Sequence, residues 1–130
     1  MSRPIVDPVR LSQIEIVVSD LGRSLRFYDE AFGWRPVPAE FHELVLLDVP
    51  RDCPFGISLR PEVQSEGNRP QRLTLYFTVD DPEHVLDKVS SAGGRSIPTK
   101  IKLPGYGVVY LCEDPDGTRF GLFKRTPIAT

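Results

Sequence analysis

Glu15 is the carboxylate that strand periodicity places on a polar sheet face. It lies in the segment 13–19, where apolar residues alternate with more polar ones, as expected for a half-buried strand. A carboxylate on the wall of a cavity is a candidate general base. Arg60 occupies a polar position of the later strand-like segment 55–60. An orienting or ion-paired role for Glu15 is therefore the competing interpretation, and the one that we favour.

The sequence contains no other pattern typical of catalysis. It has no G-x-S-x-G segment, no phosphate-binding loop and no Cys/His nucleophile arrangement. His84 falls in the first turn of a predicted helix and His42 at the edge of a predicted strand, so surface positions are expected for both. Cys53 and Cys112 are too few for a disulfide framework and predict reduced thiols, with Cys112 packed as a small core residue.

Length and composition predict one globular domain over residues 1–130, with 40% hydrophobic residues. Sixteen basic and eighteen acidic residues leave a net charge of −2, which argues against a nucleic-acid partner. No apolar run approaches the ~18 residues that a membrane helix needs. The first residues lack the layout of a signal peptide, so we expect a cytoplasmic protein without membrane attachment.

The elements that must position these residues occur twice. A shift of 61 positions places TLYFTVDDPEHVLDKVSSAGGR (74–95) under QIEIVVSDLGRSLRFYDEAFGW (13–34). Each copy predicts a strand, then a helix capped by an aspartate, Asp20 or Asp81, and ended by glycine. Pro82 suits the first position of the second helix. A repeat near half the chain length indicates two similar modules.

The first predicted helix, 21–32, carries an apolar stripe at helical spacing, and the bulky aromatic residues in and after it are expected in core or interface packing rather than in ligand contact. The stripe consists of Leu21, Leu25, Tyr28 and Phe32, and the aromatic residues are Phe27, Tyr28, Phe32 and Trp34. In the second copy, Val85, Leu86 and Val89 form the corresponding stripe.

Further strands are predicted after each helix. They cover residues 41–49, 55–60, 73–79, 108–114 and 118–125, with room for one more strand near 34–39 and near 95–101. In the segment 73–79, Leu73, Leu75, Phe77 and Val79 form the face expected to pack on the helix. Residues 96–107 show no clear periodicity and are equally consistent with a loop over a ligand and a plain connection.

Three segments together carry a resemblance to a known family: DLGRSLRFYDEAFGW, VDDPEHVLDKVSSAGG and GYGVVYLCEDPDGTRFGLF. Their order and interval resemble the vicinal oxygen chelate superfamily of glyoxalases, bleomycin-resistance proteins and extradiol dioxygenases. The resemblance implies an α+β fold with two βαβββ modules in tandem, at about 11–62 and about 72–125. It further implies mixed sheets curled around a central cavity, and a homodimer. Because such a scaffold hosts many chemistries, it does not settle function.

The resemblance also implies four positions for metal ligands, which this chain fills with Gln13, Ser58, Thr74 and Gly121. One amide, two hydroxyls and a missing side chain are poor donors for a divalent ion, so we expect no metal and no cofactor. The alternative is a metal-dependent lyase, isomerase or dioxygenase whose ligands, with Glu15 and a histidine among them, align differently. Whether the protein is an enzyme is left open.

The favoured hypothesis is a metal-free protein of the glyoxalase and bleomycin-resistance type that binds a small organic ligand in the cavity. The resemblance and the strand faces together place eight residues in that pocket: Gln13, Glu15, Ser58, Arg60, Thr74, Tyr76, Gly121 and Phe123. The absent side chain of Gly121 is expected to leave space for the ligand. A third hypothesis is an interaction module whose interior is filled by its own side chains and binds no free ligand.

Overall fold

The computed structural model describes residues 8–38, 44–62 and 71–126. The chain forms two compact units, one of residues 12–75 and one of residues 76–130 together with 1–11. The two helices within the described ranges are short, and neither is long and apolar enough to cross a membrane.

The unit of residues 12–75 has the element order that the first module was predicted to have. It contains β1 (Arg10–Val18) from residue 12 onward. The next four elements lie wholly within it: α1 (Leu21–Phe32), β2 (Pro36–Pro38), β3 (Val45–Leu47) and β4 (Gly56–Pro61). The strands lie in the order β2-β3-β4-β1. β4 runs parallel to β1, whereas the β2–β3 and β3–β4 pairs are antiparallel. Parallel neighbours need a crossover connection, and α1 begins it.

The second unit repeats this order. Its elements are β5 (Leu73–Thr78), which begins just before the boundary, α2 (Pro82–Ser91), β6 (Arg95–Leu103), β7 (Gly107–Glu113) and β8 (Arg119–Arg125). The strands lie in the order β5-β8-β7-β6, and the β6–β7 and β7–β8 pairs are antiparallel. The predicted α+β class with two βαβββ modules is therefore confirmed.

Both helices begin, and α1 ends, where local chemistry predicts. The carboxylate of Asp20 accepts a hydrogen bond from the amide of Arg23 at 3.1 Å, and Asp81 does the same for His84 at 3.2 Å. These bonds satisfy amides that lack a partner inside the helix. Gly33 has φ 73°, the left-handed conformation that ends a helix at little cost for glycine. α2 ends at Ser91, two residues before the predicted glycine pair.

The core of the second unit is a cluster of Val79, Val85, Cys112 and Leu122. The partly buried residues of the predicted α2 stripe, Leu86 and Val89, pack against it. Cys112 is fully buried, and burial raises the pKa of its thiol because the charged form loses its hydration. Its predicted role as a small core residue is confirmed. Both cysteines are free thiols.

Two predictions about strands need correction. Residues 96–107, expected to be a loop, form most of β6 and a turn at 104–106, so the optional strand near 95–101 is present and longer than expected. Its pattern was unclear because β6 lies at the end of the strand order, where Pro98 and exposed residues are tolerated. The optional strand near 34–39 is β2. The strand predicted over 41–49 is only β3, and residues 41–43 lie outside the described ranges.

Two expected core faces are more exposed than their patterns indicate. Leu73 and Leu75 are 54% and 38% exposed, whereas Phe77, later in the same strand, packs against the core cluster of the second unit. In α1 no residue is fully buried, and Phe32 of the predicted stripe is 55% exposed. Apolar periodicity thus located the faces but overstated their burial.

Candidate functional site

In the first unit, the parallel β1–β4 pair places the polar residues of both strands in adjacent positions. Glu15 is in register with Ser58, and Val17 with Arg60. Glu15 and Ser58 are buried, with 8% and 1% of their surface exposed. Because side chains alternate along a strand, residues two positions apart share a face. Gln13 and Glu15 of β1 and Ser58 and Arg60 of β4 are therefore the polar face of this unit.

Glu15 and Arg60 form an ion pair on that face. The Nε of Arg60 donates to Oε1 of Glu15 at 3.1 Å, and its Nη1 donates to the carbonyl of Pro61 at 3.4 Å. The side chain of Glu15 is 11% exposed and that of Arg60 26%. A carboxylate bound in this way holds the guanidinium in a fixed position. The geometry supports the ion-paired role of Glu15 over that of a general base.

Gln13 lies beside this pair at the start of the same strand and is in register with Gly56. The amide oxygen of Gln13 lies over Gly56, so that a Cβ at position 56 would collide with it. Within the described ranges, Nε2 of Gln13 is buried and has no hydrogen-bond partner. A buried donor without an acceptor is costly, and it identifies a place where a ligand oxygen would be favoured.

Thr74, the fifth predicted pocket residue of this unit, is buried, with 5% of its surface exposed. The Nε2 of Gln71 donates to the carbonyl of Leu73 at 2.7 Å and lies 3.5 Å from Oγ1 of Thr74. Gln71 belongs to the connecting segment between the modules, where the sequence showed no periodicity. Its contact with Thr74, three residues further along the chain, was therefore not predicted, since no periodicity there indicated where the side chain of Gln71 lies.

The other three predicted residues, Tyr76, Gly121 and Phe123, belong to the second unit. Gly121 is buried, and the ring of Tyr76 lies so close that a Cβ at position 121 would collide with Cδ1 and Cε1 of the ring. The expectation that Gly121 leaves space for a ligand is therefore wrong, because the tyrosine ring takes that space. Phe123, two residues along β8, is half-buried and has its ring edge against Gly107.

The residues at the four implied metal positions do not fit a divalent ion. Gln13 and Thr74 offer one neutral oxygen each, Ser58 offers a hydroxyl, and at position 121 the ring of Tyr76 excludes even a Cβ. Such ions prefer imidazole, thiolate or carboxylate donors. Across the described residues, no three His, Cys, Asp or Glu side chains converge in a way that would hold a metal. His84 is exposed on α2, and His42 lies outside the described ranges.

Comparison with known proteins identifies the family. The family model described as "Glyoxalase/Bleomycin resistance protein/Dioxygenase superfamily" matches residues 10–122. The Mycobacterium tuberculosis protein CFP32, named as a glyoxylase, is 27% identical over 115 residues, which are 85% of this chain and 44% of that protein. An Arabidopsis thaliana chloroplastic protein named as a lactoylglutathione lyase is 29% identical over 134 residues, covering 93% of this chain and 37% of its own length. The chain thus spans less than half of the length of these curated relatives.

Solved structures agree on the fold. The methylmalonyl-CoA epimerase of Mycobacterium tuberculosis matches with a TM-score of 0.72 at 20% identity, covering 91% of this chain and 89% of the epimerase. The Streptomyces coelicolor epimerase, in complex with 2-nitronate-propionyl-CoA, matches with a TM-score of 0.70 at 14% identity, covering 91% and 98%. At such identities the likeness shows the fold alone. Together with the family model, it establishes that this chain belongs to the glyoxalase/bleomycin resistance protein/dioxygenase superfamily, which has the vicinal oxygen chelate fold.

Proposed function

We propose that this protein binds a small organic molecule on the polar face of its first module, without a divalent ion. The observation that carries the proposal is the buried Nε2 of Gln13, which has no partner among the described residues and lies on the face that holds the Glu15–Arg60 pair. A ligand carbonyl or carboxylate oxygen would accept from this amide. The fixed guanidinium of Arg60 would favour a ligand that carries partial or full negative charge.

Membership of this family also supports the binding of a small organic molecule. The structure of the Streptomyces coelicolor epimerase contains an acyl-CoA analogue, so this fold accommodates a small molecule with a carbonyl-type group. On β1 and β4 of the first module, Gln13 and Ser58 are polar but poor metal donors. Binding through hydrogen bonds and one ion-paired guanidinium is the chemistry that these residues can supply.

The proposal includes a homodimer, as the family resemblance implies, and a cytoplasmic location. Cys53 and Cys112 are both free thiols. Because disulfides are rare in the reducing cytoplasm, the free thiols support the proposed location. A net charge of −2 offers no basic field for nucleic acid.

Elemental analysis of protein purified without chelator tests the metal-free part. We expect metal well below one ion per chain, and near-stoichiometric zinc, iron, manganese or nickel would overturn it. Thermal shift with a library of small carboxylates, ketones and acyl thioesters tests binding, and a flat response would instead favour a module that only binds other proteins.

Gln13→Leu separates ligand binding from folding. Within the described part of the chain, the buried Nε2 of Gln13 has no acceptor, so the leucine variant should unfold at the same temperature or higher. The same variant should lose the ligand-induced shift, because the ligand oxygen loses its donor. Retention of the full shift in Gln13→Leu would contradict the assigned role of this residue.

A further inference from the structure

One row of side chains crosses all four strands of the first unit. Glu15 of β1 is in register with Ser58 of β4. Ser58 is in register with Leu46 of β3, and Leu46 with Val37 of β2. Residues directly opposite each other on neighbouring strands lie on the same face of a sheet. These four residues therefore form a cross-strand row on the polar face of the unit.

The cross-strand row changes from polar to apolar along its length. Its charged and hydroxyl side chains are on β1 and β4, and its aliphatic ones are on β3 and β2. Leu46 is half-buried and Val37 is 44% exposed. On the opposite face of β3 and β4, Leu47 and Leu59 are only 5% and 0% exposed. The aliphatic end of the row is thus accessible apolar surface, in contrast to the packed face behind it.

The buried donor of Gln13 lies beside the polar end of this row. The side chain of Gln13 reaches over β4, because its amide oxygen lies over Gly56. Gly56 shares a face with Ser58, two residues further along the same strand. Nε2 of Gln13 has no acceptor within the described ranges. A ligand oxygen that accepts from Nε2 would therefore lie next to the row, with Leu46 and Val37 on the side away from β1.

The charges at the polar end favour an uncharged head group. The carboxylate of Glu15 and the guanidinium of Arg60 lie 3.1 Å apart and together carry no net charge. A ligand carboxylate would be repelled by Glu15 while it is attracted by Arg60, and it would lose its hydration on burial. A ketone, ester or amide carbonyl can accept from Nε2 of Gln13 without that cost.

We propose that the ligand of this face is an uncharged carbonyl compound with a straight alkyl chain. Its oxygen accepts from Nε2 of Gln13, and its chain lies along the cross-strand row over Leu46 and Val37. The inference rests on the proposed function and names the ligand class of that site. Neighbouring strands lie about 4.8 Å apart, so the row spans about 14 Å, which roughly matches an extended chain of about ten carbons.

A series of methyl ketones from butanone to dodecan-2-one tests the chain. Dissociation constants are measured by isothermal titration calorimetry on the full chain at neutral pH. Each added methylene that becomes buried should tighten binding about threefold, and the gain should end at about decan-2-one. Fatty carboxylates with the same numbers of carbons form a second series, and each should bind more weakly than the ketone of equal length.

Val37→Ser tests where the chain lies. Only the longer ketones reach β2, so this variant should weaken the binding of decan-2-one at least about threefold and leave that of butanone unchanged. Val9→Ser is the matched control, because Val9 is a valine of similar exposure, 46%, in the other unit. It should change neither dissociation constant.

The outcomes separate the chain, the head group and the proposed function. Equal affinities for all ketones, or decan-2-one binding that Val37→Ser leaves unchanged, would refute the alkyl chain while the proposed function stands. Tighter binding of the carboxylate at every length would refute the uncharged head group. If no ketone and no carboxylate binds at any length, the proposed function fails and this inference fails with it.

Discussion

The two modules share an element order but use their corresponding strands differently. In the first, Glu15 on the opening strand pairs with Arg60 on the last strand at 3.1 Å, and Nε2 of Gln13 beside them has no hydrogen-bond partner among the described residues. In the second, Tyr76 on the opening strand fills the space over Gly121 on the last strand. One face carries an ion pair and a buried amide, whereas the other is packed with a ring. In this chain the two modules thus resemble each other more in their elements than in the chemistry of their strand faces.

The largest expected effect is at Gly121. Gly121→Ala places a Cβ against the ring of Tyr76 and 3.2 Å from Cγ1 of Val109. Overpacking of this kind should lower the free energy of unfolding by about 2–3 kcal/mol, as measured by urea denaturation. Gly22→Ala is the matched control, since its Cβ has nothing closer than 3.8 Å and the helix should become slightly more stable.

Gly121→Ala in a Tyr76→Ala variant tests whether the tyrosine ring causes the loss of stability. Without the ring there is room at position 121, so the cost of Gly121→Ala should fall to well under half of its cost in the wild-type chain. An equal cost in both backgrounds would show that the second face is not packed as described.

The next effect is at the polar face of the first module. Arg60→Met leaves the buried carboxylate of Glu15 without its cation, and should lower the free energy of unfolding by about 1–3 kcal/mol at neutral pH. The lower part of this range is expected because the guanidinium side chain is 26% exposed. In a Glu15→Gln background the same substitution should cost much less. Arg125→Met, at an exposed position, is the control and should be nearly neutral.

The smallest effect extends the comparison to the two helices. In the monomer, Arg23→Glu should stabilise the protein and Glu83→Arg should destabilise it, each by about 0.3–1 kcal/mol, because the first favours the helix dipole and the second opposes it. Thermal denaturation is measured at low ionic strength and at a concentration where sedimentation shows monomer. If both variants were stabilised, or both destabilised, the first turns of α1, with Arg23, and α2, with Glu83, would not differ in their interaction with the helix dipole.

Much of the fold could be predicted because its signals are local. Asp20, Asp81 and Gly33 determine helix ends through contacts within a few residues, and alternation along β1 identified the face that carries Glu15. The strand β6, predicted only as an optional strand near 95–101, depends instead on pairing with β7, and a register shift between Ser96 and Lys100 interrupts its alternation. The sequence pattern of a segment does not reveal a strand that forms only by pairing with another strand.

The sequence could predict which residues lie on the polar strand faces, but not how those residues pack. The sequence placed Glu15 and Arg60 on polar faces, and their pairing followed as one of two interpretations. The position of the Tyr76 ring over Gly121 depends on the tertiary arrangement of β5 and β8, so the same residues were expected to leave space there. The exposure of Phe27 and Phe32 was missed for a related reason, since helical spacing does not reveal how much of a face its neighbours cover.

The contact between Tyr76 and Gly121 constrains the order in which this chain could change. A histidine or glutamate at position 121 is accessible only after position 76 has first become small, and that first step alone would leave a void where the ring had been. A selection experiment for zinc-dependent activity should therefore recover substitutions at position 76 before any at position 121. The packing of Tyr76 against Gly121 would therefore oppose the acquisition of a metal ligand at position 121 by single substitutions.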